Sequence, residues 1–250
     1  MFSFLRDWMK ALNERLESAV GVDWMGRSEC LREYRLRVAQ STFERALHFG
    51  AGRNNYRIGE HALADGSGTI VALDTDRVTL AEHDAREQVL GCGQRLPYAD
   101  DSFDLVFSEY VFEHLDDPTA ALGEIDRVLR PGGEVIILVP NPAHYYAIVA
   151  GLTPFWFHVF YLRLQGESNV LRDHSPTYYR WGRYEDLHAV NWQVESVDSY
   201  TGPTAYTRWL PVHALFIVLE YVLSKNRDRH LLYLAHYSVG SRRVVGEVSE

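Results

Sequence analysis

The sequence predicts an α/β fold built on parallel strands, and three observations carry that expectation. Residues 104–139 run strand, helix, strand: Asp104-Leu105-Val106-Phe107, an amphipathic stretch opening at Pro118, and a second apolar run after Pro131-Gly132-Gly133. Ala46-Leu47-His48-Phe49 leads directly into Gly50-Ala51-Gly52, and Ile70-Val71-Ala72-Leu73 ends on Asp74. Short apolar runs bounded by turn residues suit strands covered on both faces. Parallel neighbours need a helical crossover between them, which the 104–139 stretch supplies.

Taken in order, residues 2–20 place Phe4, Leu5, Trp8, Met9, Leu12 and Leu16 on one helical face. Their polar face mixes signs, whereas membrane-surface helices are usually basic there, so this helix is expected to pack on the domain or a partner. Residues 28–41 read as a second, Arg-rich helix. Strands follow at 46–49 and 70–74, then a helix over 76–90 with Asp76 as its cap. The strand at 104–108 gives way to a helix whose start is marked by Asp116, Asp117 and Pro118, carboxylates suiting the positive end and proline the first turn. Leu122, Ile125, Val128 and Leu129 form its apolar face. The Pro-Gly-Gly turn stops it, and strands follow at 134–139, 192–200 and 231–239.

With 250 residues, 46% hydrophobic and 24% charged, the chain has the composition of an ordinary globular protein holding one α/β domain with a sizeable core. A formal net charge of −9 opposes binding to a phosphate backbone, so no nucleic-acid partner is expected. Cys30 and Cys92 make neither a disulfide framework nor a metal cluster, so no metal is expected and a reducing, cytoplasmic setting is. Charges at Arg6, Asp7, Lys10, Glu14 and Arg15 interrupt any secretory signal. Two weakly charged segments, 145–162 and 209–223, approach transmembrane composition. Each lies between strands of one sheet, so a crossing would separate a strand from its neighbours. They suit a cap over the site, a homodimer interface or a peripheral membrane contact.

The order Leu96-Pro97-Tyr98, Asp100-Asp101-Ser102-Phe103-Asp104, Glu113-His114-Leu115, then Asp117-Pro118 through Arg127-Val128-Leu129-Arg130-Pro131-Gly132-Gly133 resembles the class I S-adenosylmethionine-dependent methyltransferases. The resemblance covers roughly residues 44–140. It implies a Rossmann-like, seven-stranded, mostly parallel sheet with helices on both faces. The last strand would run antiparallel beside the fifth, with N-terminal helices and an aromatic-rich helical cap added. The implied organisation is an N-terminal helical extension over 1–43, the cofactor-binding half over 44–140, and cap segments with two completing strands over 141–250.

The same resemblance implies S-adenosyl-L-methionine as cofactor and places residues around it. Gly50 and Gly52 match the glycine turn, where the missing side chain lets a ligand approach the backbone. His48 stands where the family has an acidic residue, and Asn54 where it has a third glycine. Asp74 matches the carboxylate that takes both ribose hydroxyls, two acceptor oxygens suiting a vicinal diol. Cys92 stands where an acidic residue is common beside the adenine; Gly93 and Gln94 are expected to meet the ring and its amine, Cys92 being otherwise a small buried residue. Ser108 and Tyr110 follow the strand next to the methyl-transfer position.

The cofactor's sulfonium already activates the methyl group, leaving the protein to align a nucleophile and, for oxygen or carbon acceptors, to supply a base. His174 is the first base candidate and His114 the second, with His144, Tyr145, Tyr146 and Tyr178 as further cap residues. Asn141-Pro142-Ala143-His144-Tyr145 is not the Asn-Pro-Pro-aromatic motif of amino-methylating nucleic-acid enzymes, because it follows the wrong strand and lacks the second proline. The expected activity is methyl transfer, with oxygen favoured, to a small hydrophobic, glycan or lipid-linked acceptor. The alternative is a non-catalytic scaffold of the same fold, which the residues at positions 48, 54 and 92 would suit.

Overall fold

The computed structural model describes residues 15, 18–19, 27–52, 68–154, 156, 177–201, 210–223 and 225–240. Helix α1 (Arg27–Gln40) precedes strand β1 (Arg45–Phe49); β2 (Thr69–Asp74) leads through the one-turn α2 (Arg77–Leu80) to β3 (Glu87–Leu90). Then come β4 (Phe103–Glu109), a 3₁₀ turn (Phe112–His114), α3 (Pro118–Val128) and β5 (Leu129–Pro140). The remainder supplies α4 (Tyr145–Leu152), α5 (Tyr184–His188), β6 (Gln193–Tyr200), α6 (Leu210–Leu223) and β7 (Leu232–Ser238). The seven strands make one sheet in the order β3-β2-β1-β4-β5-β7-β6. The first five are parallel, while β7 runs antiparallel to both β5 and β6. This is the Rossmann-like architecture expected.

Side-chain alternation explains why helices cover both faces. Along β5, Val135, Ile137 and Val139 point to the side packed by α3 through Ala121, Ile125 and Val128. Ile136 and Leu138 point to the opposite side, where α1 contributes Cys30, Leu31, Tyr34 and Val38. Strand residues two apart share a face, so a sheet apolar at every position must be buried twice. Helix α1 is also fastened by charge: Arg37 donates to Ser196 Oγ at 2.7 Å and to Asp198 Oδ2 at 2.6 Å on β6.

Two elements differ from expectation. Residues 76–90 do not form one helix: α2 ends after four residues, and Glu87–Leu90 pairs in parallel with Val71–Asp74 as the edge strand β3. Asp76 does cap α2, accepting from the Val78 N–H at 2.8 Å. The unpaired edge of β2 supplies backbone partners that an isolated helix pattern cannot register. The helix α3 stops at Val128, and Leu129 already belongs to β5, opposite Phe103. The Pro-Gly-Gly segment is therefore an irregularity within β5 rather than its preface. Gly132 takes φ +84, and a Cβ on Gly133 would lie 3.0 Å from the Asp104 carbonyl oxygen. The expected helix over 2–20 lies outside the described residues apart from Arg15, Ser18 and Ala19.

The charged residues of the α3 segment hold the preceding loop. Arg127 donates to the carbonyls of Tyr98 and Leu96 and to Asp100, and pairs with both oxygens of Glu124. Glu124 in turn accepts the Leu96 N–H at 2.7 Å. The Leu-Pro-Tyr turn is thereby sewn to α3 through the planar guanidinium. Arg127→Ala is expected to cost about 2 kcal/mol, with solvent exposure already discounted, lowering Tm by roughly 4–8 °C in thermal unfolding followed by circular dichroism.

Candidate functional site

Parallel strands put their carboxyl ends on one edge, and there the apolar sheet gives way to glycine, aspartate and serine. Gly50 and Gly52 leave β1 with φ +68 and +53, values at which an L side chain is strained. A Cβ on Gly50 would also lie 2.3 Å from Val111 Cγ2, so the β1 turn and the loop after β4 require glycine to approach each other. Among the described residues, a Cβ on Gly52 would meet nothing within 4 Å.

Asp74 ends β2 and is partly exposed. Its Oδ2 accepts the Gly52 N–H at 2.7 Å and its Oδ1 the Asp76 N–H at 2.8 Å. Ala51 N–H donates to the Leu73 carbonyl and Gly91 N–H to the Asp74 carbonyl, both at 2.9 Å. These bonds lace the ends of β1, β2 and β3 together. A carboxylate offers about four lone-pair positions, and the described residues use two of those on Asp74.

The third strand's loop is arranged differently from expectation. Cys92 is exposed rather than a small buried residue. Gly93 is the buried member, and a Cβ there would stand 2.2 Å from Phe49 Cζ. Gln94 Nε2 is turned to Asp116 Oδ1, whose carboxyl this bond holds below the usual range. A second contact on Asp116 comes from Arg180, which donates to its carbonyl. Sequence pattern alone had not joined Gln94, Asp116 and Arg180, since they come from three separate loops.

His48 is buried in the sheet, stacked on Phe107 with ring centroids 4.6 Å apart. Its Nδ1 lies 3.2 Å from Nε2 of His83. Because the Ala85 N–H donates to His83 Nδ1 at 3.0 Å, the His83 proton is assigned to Nε2, which donates to His48. His48 therefore faces a histidine in the core, not the open cleft, and whatever it offers a ligand comes through the turn it supports. Burial, then the neighbouring His83, pulls its pKa down to about 3, and burial lowers that of His83.

Near the end of β4, Ser108 is buried and its Oγ has no hydrogen-bond partner among the described residues. Tyr110 takes φ +55, strained for a side chain of that size, while its N–H donates to the Leu138 carbonyl at 3.0 Å. The buried Glu113 is clasped through its carbonyl by the N–H groups of Tyr178 and Tyr179, at 2.7 and 3.1 Å. His114 is partly exposed, with Nε2 4.0 Å from Glu113 Oε1. His174 and Asn54 lie outside the described residues. Tyr146 and Tyr178 are largely exposed.

His144 is no accessible base. It is fully buried, its Nδ1 accepting the Tyr146 N–H at 3.2 Å and its Nε2 3.1 Å from Oε1 of the equally buried Glu220. Asn141 likewise clamps the chain before β7, donating to the Asp228 and His230 carbonyls and accepting from the Ala143 N–H. Past the end of β5 opens a cavity of about 530 Å³, walled by Ala143, Ile148, Arg183, Tyr184 and Arg229 among others. It lies on the carboxyl edge of β5, two strands from the glycine turn.

Residues 47–137 match a family model described as a methyltransferase domain. A probable S-adenosylmethionine-dependent methyltransferase of Mycolicibacterium smegmatis is 33% identical over 118 residues, covering 43% of this chain and 46% of that protein. The demethylmenaquinone methyltransferase of Corynebacterium glutamicum (strain R) is 34% identical over 96 residues, covering 38% and 40%. The crystal structure of a putative methyltransferase from Bacillus halodurans superposes with a TM-score of 0.54 at 16% identity, over 84% of this chain and 99% of that one; it shares the fold. The matched regions span less than half the length of these two curated relatives.

The buried histidine pair makes stability depend on acidity. Both folded-state pKa values lie below the unfolded value of about 6.5, so the unfolded chain binds more protons as pH drops. The stabilisation is complete above about pH 6.5 and is lost progressively as pH falls toward 3. Thermal melts across that range are expected to show Tm falling with acid, and His48→Phe, which preserves the stack on Phe107, to show a shallower fall.

Proposed function

We propose that this chain, whose residues 47–137 match a methyltransferase-domain model, is a class I S-adenosylmethionine-dependent methyltransferase that methylates a small amphipathic acceptor seated beyond β5. The observation that carries the reading is the carboxyl-edge lacing of Gly52 to Asp74. Among the described residues, a glycine turn that no side chain crowds at Gly52 adjoins a carboxylate with acceptor positions to spare. That is a fit for a ribose diol beside a closely approached backbone, so the residues present suit the cofactor. When bound, S-adenosylmethionine supplies a methyl group already activated by its sulfonium.

The chain's own residues then divide the remaining work. Asp74 receives the ribose hydroxyls, while Gly50 and Gly52 let the ligand lie against the main chain. Cys92 and Gly93 border the adenine from β3's loop, and Gln94 frames that border from its bond to Asp116. The Ser108 hydroxyl, buried and unpartnered among the described residues, offers a polar contact at the end of the central strand β4. On the acceptor side, the strained Tyr110 and the Glu113 clasp hold the loop carrying His114 in one conformation. Such positioning accounts for most of what the protein must do in methyl transfer.

Among the described residues His114 is our candidate base for an acceptor hydroxyl, being the histidine of this loop that reaches solvent. His174 shares that candidacy from the cap. The cavity beyond β5, with Ile148 and Tyr184 beside Arg183 and Arg229, suits an acceptor with an apolar body and a polar or anionic group. A lipid-linked or aromatic molecule has that character, and one relative is named a demethylmenaquinone methyltransferase.

Titration calorimetry with S-adenosylmethionine and S-adenosylhomocysteine tests the cofactor site. Asp74→Ala is expected to weaken both ligands by more than about tenfold, since two charge-assisted bonds of ~1.5–3 kcal/mol each are lost. Asp74→Asn, which retains one acceptor oxygen and the Gly52 contact, should fall between. No heat from the unsubstituted protein would instead favour a non-catalytic scaffold. Once an acceptor is found, His114→Asn should lower kcat about 10²-fold and remove the acidic limb of the pH profile, with cofactor affinity unchanged. An unaltered profile would leave the base to His174.

A further inference from the structure

Helix α6 is apolar well beyond the face it buries. Its sequence, LPVHALFIVLEYVL, holds one formal charge, Glu220, and that carboxylate is turned inward. Glu220 Oε1 meets His144 at 3.1 Å, and its Oε2 accepts from Thr201 Oγ1 at 2.8 Å. Ile217 is buried beside it, whereas Leu215, Val218, Leu219 and Val222 are 65, 58, 36 and 59% exposed. Those four positions follow the i, i+3, i+4, i+7 pattern, so they form one continuous stripe along the helix. On α4, Ile148, Val149 and Leu152 are exposed as well, and His144, at the foot of α4, is the residue that joins the two helices.

Rolling α6 to hide its stripe would pull a buried carboxylate away from both of its partners, a costly exchange. The polar contact therefore fixes the apolar stripe outward. What meets it is indicated by charge. The chain is acidic at −9, yet the turn after α6 places Lys225, Arg227 and Arg229 against a single acid, Asp228, within five residues, all exposed. Lys225 lies with its Nζ 4.5 Å from the Tyr221 ring, a tyrosine and lysine together at the rim of the apolar stripe. An apolar helix face with aromatic and basic residues at its edge has the chemistry of the boundary between acyl chains and anionic headgroups. Among the described residues no helix is long and apolar enough to cross a membrane.

We infer that the exposed faces of α6 and α4, with the basic turn at 225–229, dock the protein on an anionic lipid surface. Ile148, Asn226 and Arg229 belong both to this region and to the wall of the 530 Å³ cavity, so an acceptor held in the bilayer would enter directly. This deepens the proposed methyl transfer and rests on it for the identity of the cavity's occupant.

The test is flotation of the full chain with vesicles of phosphatidylcholine alone or mixed with phosphatidylglycerol. Binding to the anionic vesicles is expected, weakening as salt rises. Val218→Glu/Val222→Glu changes only exposed side chains and should cut the bound fraction at least ~10-fold. Lys225→Glu/Arg227→Glu should abolish the preference for phosphatidylglycerol. Absence of binding to either vesicle, or binding that neither variant alters, would overturn the proposal. So would a dimer in solution that Val218→Glu/Val222→Glu converts to monomer, since the stripe would then be occupied by a second copy. S-adenosylmethionine affinity measured on the same samples separates the two ideas: lost flotation with intact affinity removes the docking surface alone.

Discussion

Burial of the central strands on both faces is the constraint from which the rest of this molecule follows. β1 and β4 lie mid-sheet, with α1 against one side and α3 against the other, so their side chains must be apolar in both directions. Polar chemistry is thereby displaced to the strand ends, where backbone groups leave the ladder and side chains reach solvent. Gly50, Gly52, Asp74 and Ser108 occupy that boundary. His48 is the exception within β1, and it is accommodated by giving its ring nitrogen a second histidine and its face an aromatic ring.

The same logic separates charges that build from charges that can act. Arg127 and Glu124 are prominent in the sequence, yet every contact they make secures the Leu96–Asp100 turn to α3. That turn precedes β4 and sets where its loop emerges. Likewise, His144 and Asn141 in the Asn-Pro-Ala-His segment are spent on holding α6 and the chain before β7. Residues with reactive side chains are common here; those with reactive side chains and access to the cleft are few.

The cap-side elements stand in a different energetic regime from the sheet. Among its described residues α6 exposes four aliphatic side chains, and its buried carboxylate holds it to α4 and Thr201. A polar contact of this kind contributes orientation more than net stability, because desolvating the charge offsets much of what pairing returns. Orientation is what a surface that meets acceptor or lipid requires.

The sequence by itself determined the class of fold and the polar carboxyl edge of its sheet. Its glycine turn, the acidic end of β2, and the Leu-Pro, Glu-His-Leu and Pro-Gly-Gly punctuation are local signals, produced by backbone conformations that few residues tolerate. The strands expected at 192–200, through alternation, and at 231–239, through the family pattern, form at Gln193–Tyr200 and Leu232–Ser238. Tertiary structure decided what local pattern cannot carry. Glu87–Leu90 became a strand because β2 had an unpaired edge, although its residues also fit a helix. Cys92 became exposed and Gly93 buried because Phe49 fills the space beneath the loop. His48 met His83, Gln94 met Asp116, and His144 met Glu220 across separations of 35, 22 and 76 residues. Side-chain partners that distant in the chain are chosen by packing, and a sequence pattern has no term for the neighbour that packing brings.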